Sequence, residues 1–170
     1  MIRNVLACLL CLFISTNRVE ALTVADAQVC ANKILRAYNK KTYPGTSLAV
    51  EDITSRAYGV LYRALLPKMK KVADDVALKL LQSSFTEPSG LYKYKDLIVE
   101  YVEPTDKGYR ALGEVYIISP KYSGPASFTA LLKKSGCKVY QVRIAEIYAL
   151  DIQLRDMLTK DERTRKFFED

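Results

Sequence analysis

The chain has 170 residues, 49% of them apolar, with 26 basic and 19 acidic side chains, a formal net charge of +7 and no histidine. That length suits one ordinary globular domain. The missing histidine removes the usual base of hydrolytic triads and the commonest metal ligand, and neither a Gly-x-Gly-x-x-Gly loop nor one ending in Gly-Lys-Ser/Thr occurs.

The first stretch reads as a targeting segment. Arg3 supplies a positive start, Val5 to Ile14 is an apolar run of about 10 residues, and Val19-Glu20-Ala21 offers a cleavage site after Ala21. A bilayer-crossing helix needs about 20 apolar residues, so a secretory signal over 1–21 is expected rather than an anchor. Lipid attachment at Cys8 or Cys11 is disfavoured: Cys8 has almost no apolar run ahead of it, and Leu10, before Cys11, is not small. Taking out Arg3, Arg18 and Glu20 leaves 24 basic and 18 acidic side chains, a net charge of +6. A basic, exported chain favours anionic lipid or acidic partners. Its lysines and arginines are scattered rather than stacked with aromatics, so no nucleic-acid partner is expected.

After Thr23, Ala27, Cys30, Ala31, Ile34, Leu35 and Tyr38 fall on one helical face, which predicts a helix over 24–39 capped by Thr23 and Asp26. A turn over Lys40 to Ser47 follows. Val50, Ile53, Ala57, Val60, Leu61, Ala64 and Leu65 predict a second helix ending near Pro67. Met69, Val72, Ala73, Val76 and Leu80 predict a third, closed by Glu87-Pro88-Ser89-Gly90. Four antiparallel strands are then predicted at Leu97–Glu103, Tyr109–Ser119, Ala126–Lys133 and Cys137–Ala145, with a fifth open at Leu91–Tyr94. Tyr109, Ala111, Gly113, Val115 and Ile117 share one face, as do Phe128, Ala130 and Leu132, and Tyr140, Val142 and Ile144. Ile147, Leu150, Leu154, Met157 and Leu158 predict a closing helix that the chain enters directly from the last strand at Glu146, before a frayed tail over 160–170.

Helices, then strands, then a helix make an α+β fold, with helices on one face of a curved sheet of four to five strands enclosing an apolar pocket. Residues 22–170 are expected to form a single domain. The mature chain keeps Cys30 and Cys137, which an oxidising compartment would bridge if their Cα atoms came within about 7 Å; each lies on an apolar phase, so two buried thiols are the plainer expectation. No metal-ligand set is expected.

The closing segment, GCKVYQVRIAEIYALDIQLRDML over residues 136–158, resembles the C-terminal signature of the MlaC-like family, periplasmic auxiliary proteins of phospholipid and toluene-tolerance ABC transport systems. Lys138-Val139-Tyr140 and Val142 match directly. Arg143-Ile144 and Glu146 fit the charged step, Ile147 and Leu150 keep apolar positions, and Leu154-Arg155 with Leu158 stand where Tyr-Arg and Phe are usual. Cys137 replaces a tryptophan, Gln141 an aspartate, and Ala145 and Tyr148 a glycine and a serine. The order of leader, three helices and meander, with Arg56-Ala57-Tyr58-Gly59 and Leu65-Leu66-Pro67, follows the family more loosely.

The resemblance implies an NTF2-like/MlaC-like fold and a periplasmic, monomeric, non-enzymatic carrier. Such a protein takes glycerophospholipid as cargo, uses no cofactor, and exchanges lipid with an inner-membrane ABC transporter complex and an outer-membrane lipoprotein complex. Acyl chains gain roughly 0.8 kcal/mol per buried methylene. Candidate lining residues are Tyr109, Val115, Tyr116, Phe128, Leu132 and Tyr140, followed by Val142, Ile144, Tyr148, Leu150 and Leu154. Arg143 and Arg155 are the candidates for the headgroup phosphate. An ordinary packed core would show the same alternation. Two rivals remain open: a small exported enzyme pairing Tyr140 with Asp96 or Glu114, and a ligand-free adaptor domain, which a filled core would favour.

Overall fold

The structure is a computed structural model that describes residues 21–87, 92–145 and 148–169. The expected leader up to residue 20, the turn at 88–90, Leu91, the joint at Glu146 and Ile147, and Asp170 lie outside those residues.

Helix α1 spans Val24–Asn39, as its spacing predicts. Thr23 Oγ1 accepts from the Asp26 amide at 3.1 Å while the Asp26 carboxylate accepts from the Thr23 amide at 3.2 Å, so two orphan donors of the first turn are satisfied reciprocally. Ala27, Cys30, Ala31, Ile34 and Leu35 form its buried face. The expected second helix is divided into α2 (Val50–Tyr58) and α3 (Val60–Ala64). Gly59 separates them at φ 63° and ψ −130°, backbone that a β-carbon disfavours. Helix α4 (Pro67–Thr86) starts on a proline whose missing N–H costs nothing there. It buries Ala73, Val76, Ala77, Leu81 and Phe85 and leaves Val72 at the surface.

Strands β1 (Lys93–Thr105), β2 (Gly108–Ile118), β3 (Ser123–Lys133), β4 (Val139–Ile144) and β5 (Tyr148–Ala149) form one antiparallel meander in sequence order. Tyr94 belongs to β1, so the fifth strand is not the one expected at Leu91–Tyr94. It is Tyr148–Ala149, which turns back to pair with β4. The strand therefore does not run straight into the closing helix: Ala145 takes a positive φ of 46°, β5 reverses the chain, and α5 (Leu150–Lys160) follows. A two-residue strand is too short to register as alternation, which is why helical spacing alone was visible there.

Tyr94, Leu97 and Val99 from β1, with Ala111, Val115 and Ile117 from β2, face inward and are buried. Phe128, Ala130, Leu132, Val142 and Ile144 continue that face. Helix α1 packs on β1, α2 and α5 pack on β4, and α4 packs on the other helices. Strand β1 is an edge, and α1 covers it with amides. Gln28 Nε2 donates to the Leu97 carbonyl at 2.7 Å and Gln28 Oε1 accepts from the Val99 amide at 2.6 Å, beside two register shifts in β1. Asn39 does the same at Tyr94, its Oδ1 accepting from the amide at 3.1 Å.

Two further expectations are corrected. Cys30 and Cys137 are bonded in a disulfide with Cα atoms 5.3 Å apart, closing 107 residues of chain. The sheet brings the β3–β4 connection beside α1, a proximity that spacing in sequence could not reveal. The tail is packed rather than frayed. Thr164 is fully buried and donates to the Leu158 carbonyl at 2.7 Å, Phe167 is buried in a 3-10 turn (Arg165–Phe168), and Phe168 stacks on Tyr58 at 4.3 Å.

Candidate functional site

Seven of the eleven candidate lining residues meet in one layer. Val115, Phe128, Leu132, Val142, Ile144, Leu150 and Leu154 are each no more than 2% exposed and belong to a single apolar cluster between sheet and helices. Alternation along β2, β3 and β4 aims them inward, and the spacing Leu150, Leu154, Leu158 turns one stripe of α5 onto them. Alanines separate the larger side chains: Ala111 opposes Ala130, Ala130 opposes Val142, and Ala27, Ala31, Ala73 and Ala77 come from the helices. The hollow expected over this face is filled by those side chains. Two hollows, of about 540 and 720 Å³, open elsewhere, one beside Tyr43 and Lys133 and the other beside Cys30 and Cys137. Neither is lined by any of the eleven.

Of the other four, Tyr140 is buried at an edge of the same cluster and Tyr148 packs against it, while Tyr109 and Tyr116 stand apart. Tyr109 is half-buried opposite Leu132. Tyr116 lies on the far face of the sheet, between the buried Val115 and Ile117, with the Lys95 ammonium 4.8 Å from its ring centroid. Tyr140 leaves the predicted phase because β4 carries an extra residue: Leu131 opposes Gln141 but Leu132 opposes Val139. Val139 takes the inner place, and the guanidinium of Arg56 sits 5.9 Å from the Tyr140 ring centroid. Tyr148 joins an aromatic group. Its ring is 6.4 Å from Tyr38, which is 5.3 Å from Tyr94 and 6.2 Å from Phe85. Burial pushes the phenols of Tyr38, Tyr94 and Tyr148 above their ordinary pKa. Sequence reasoning did not assemble this group: Tyr38 on the α1 stripe and Tyr148 among the candidates were each visible, but nothing in their spacing joins them.

Of the two candidate headgroup residues, Arg155 is exposed on α5. Arg143 lines a groove of about 330 Å³ on the outer face of the sheet with Arg56, Arg110, Leu112, Thr129 and Leu131, floored by Gln141. Asp151 lies within 3.6 Å of Arg56 and 4.0 Å of Arg143. Its Oδ1 accepts from Gln141 Nε2 at 2.6 Å, which holds the buried amide in place. Arg110 is committed to Glu103 at 2.7 Å. Arg143 thus lies across the sheet from the apolar layer rather than at its mouth.

The residues cast for an acid–base pair are not brought together. Tyr140 is buried, whereas Asp96 and Glu114 are exposed, Glu114 opposite Ile98 and Ser127. A different tyrosine and carboxylate do meet: Tyr62 donates to Asp74 at 2.8 Å, and burial raises the pKa of both. Among the described residues no group of three or more Cys, Asp or Glu is arranged to hold a metal ion, and no helix is long and apolar enough to cross a membrane.

No family model and no curated protein matches this chain. Among solved structures it is similar to a phospholipid-binding protein from Ralstonia solanacearum solved in complex with a phospholipid. The TM-score is 0.40 and the identity 15%, over 85% of this chain and 96% of that one. A likeness of that degree does not establish a shared fold.

Proposed function

We propose that the protein is an exported phospholipid-binding carrier of an Mla-type transport system, moving glycerophospholipids through the periplasm between an outer-membrane lipoprotein complex and an inner-membrane ABC transporter complex. It acts as a monomer, without catalysis or cofactor. The observation that carries this reading is the apolar layer of seven residues between β2, β3, β4 and α5, four of which (Val142, Ile144, Leu150 and Leu154) come from the segment that resembles the MlaC-like signature. In this reading acyl chains enter by parting the Leu150, Leu154 and Leu158 stripe of α5 from the sheet, whose inner face is low at Ala111 and Ala130. Each methylene taken in returns roughly 0.8 kcal/mol toward the apolar contacts it displaces.

Solvent extraction and mass spectrometry of the natively purified protein test the reading. Stoichiometric phospholipid is expected, and a protein free of lipid overturns it. Val142 and Ile34 are 2% and 4% exposed, so a glutamate is equally unwelcome at either site in the packed molecule. The carrier reading therefore expects a difference: Val142→Glu strips phospholipid while keeping a cooperative thermal transition, and Ile34→Glu fails to fold. If both unfold alike, the layer does not open. One observation favours a second reading: the filled layer suits a ligand-free adaptor domain, for which lipid-free protein is the expected result.

A further inference from the structure

We infer that one end of the molecule, where the start of α4 meets the C-terminal 3-10 turn, docks onto the anionic surface of a lipid bilayer. Leu66, at the bend before α4, is 67% exposed and stands next to the apolar hollow formed by the first turns of that helix. Met69, Val72 and Phe167 line a shallow hollow of about 430 Å³ whose other walls are Lys68, Lys166 and Arg163. Arg163 is held by Asp161 at 2.7 Å. Lys68, Lys71 and Lys166 are exposed and have no ion-pair partner among the described residues.

Charge argues for the occupant. Helix α4 carries lysines at 68, 70 and 71 and no acidic residue in its first turn, although the positive end of a helix dipole disfavours cations there. Lys70 is turned back over the Tyr62 ring, 5.6 Å from its centroid, which leaves Lys68 and Lys71 facing outward. An anionic surface relieves that accumulation. Apolar side chains set among lysines match the headgroup boundary, where aliphatic tips enter the acyl edge and ammonium groups stay with the phosphates. Leu66 projects from a bend, so a fluid boundary accepts it without a matched pocket. The inference goes beyond the carrier reading and does not depend on cargo.

Sedimentation of the purified protein with vesicles tests it. Binding to phosphatidylcholine vesicles containing phosphatidylglycerol is expected, with none to phosphatidylcholine alone and with loss as salt is raised. Lys68→Gln with Lys71→Gln weakens partitioning about fivefold per lysine, Lys166→Gln weakens it by a similar factor, and Leu66→Asn weakens it at every salt concentration. Lys107→Gln with Lys121→Gln, on exposed turns elsewhere, leaves partitioning nearly unchanged. Equal losses in both lysine pairs, equal binding to neutral vesicles, no vesicle binding, or binding confined to an acidic protein each overturn the inference. A purified protein free of phospholipid would count against the carrier and leave the vesicle result standing.

Discussion

Asp74 shows how a single buried group sets a pH dependence. It accepts from Tyr62, but loss of water dominates and raises its pKa above the ordinary carboxylate value. A carboxyl with a raised folded pKa binds protons more readily in the native than in the unfolded state, so it disfavours folding increasingly as pH rises through that folded pKa. Asp74→Asn keeps an acceptor for Tyr62 and removes the charge. Urea unfolding at several pH values from 4 to 7 is expected to show the variant gaining on the parent as pH increases. A difference independent of pH would mean that the carboxylate is not disfavoured by its burial. Gln141 illustrates the same residue-level logic, because an aspartate in its place would face Asp151 as a second buried carboxylate.

The elements differ in how far the sequence discloses them. Helix α1 was legible to the residue, since the Thr23–Asp26 box and an unbroken stripe agree. Strands β2 and β3 were legible because alternation and turn residues coincide. The bulge at Tyr140, the two-residue β5 and the buried Thr164 were not, because each depends on a partner distant in sequence or on an irregularity that periodicity averages away. Strand alternation gave the inward direction of Val115, Phe128, Leu132, Val142 and Ile144 and helical spacing that of Leu150 and Leu154, whereas the extra residue of β4 defeated it at Tyr140. The filling of the layer was invisible: alternation tells which way a side chain points, not what meets it. Register also explains Gly113. A β-carbon there would run into the Ile98 carbonyl of β1, beside the register shifts. Gly113→Ala is expected to force β1 away from β2 and to cost about 1–3 kcal/mol, the usual range for overpacking, measurable as a lower urea midpoint. An unchanged midpoint would show that β1 gives way without loss.

For the whole molecule, the sheet is a simple meander, and one of the long-range ties that override chain order is covalent. The Cys30–Cys137 bridge closes 107 residues between α1 and the start of β4, a loop that includes α2 to α4 and β1 to β3. Removing a bridge across so long a loop is expected to cost about 2–5 kcal/mol through the unfolded state. Denaturation of the parent against Cys30→Ala with Cys137→Ala checks this, with the same comparison made under reductant. If the double variant matches the oxidised parent, the bridge constrains nothing that the core does not already hold.

The same bridge makes stability depend on the redox surroundings of the chain. Where glutathione keeps thiols reduced, α1 and the β3–β4 connection are joined only by packing, and the fold opens more readily. For the exported carrier proposed above, a chain in that condition would be easier to draw through a narrow channel than one already stapled. Once thiols are oxidised, the staple closes behind it, and reopening then requires a reductant rather than a fluctuation. One pair of cysteines thus separates a chain that opens readily from a durable one, with no change in its apolar core.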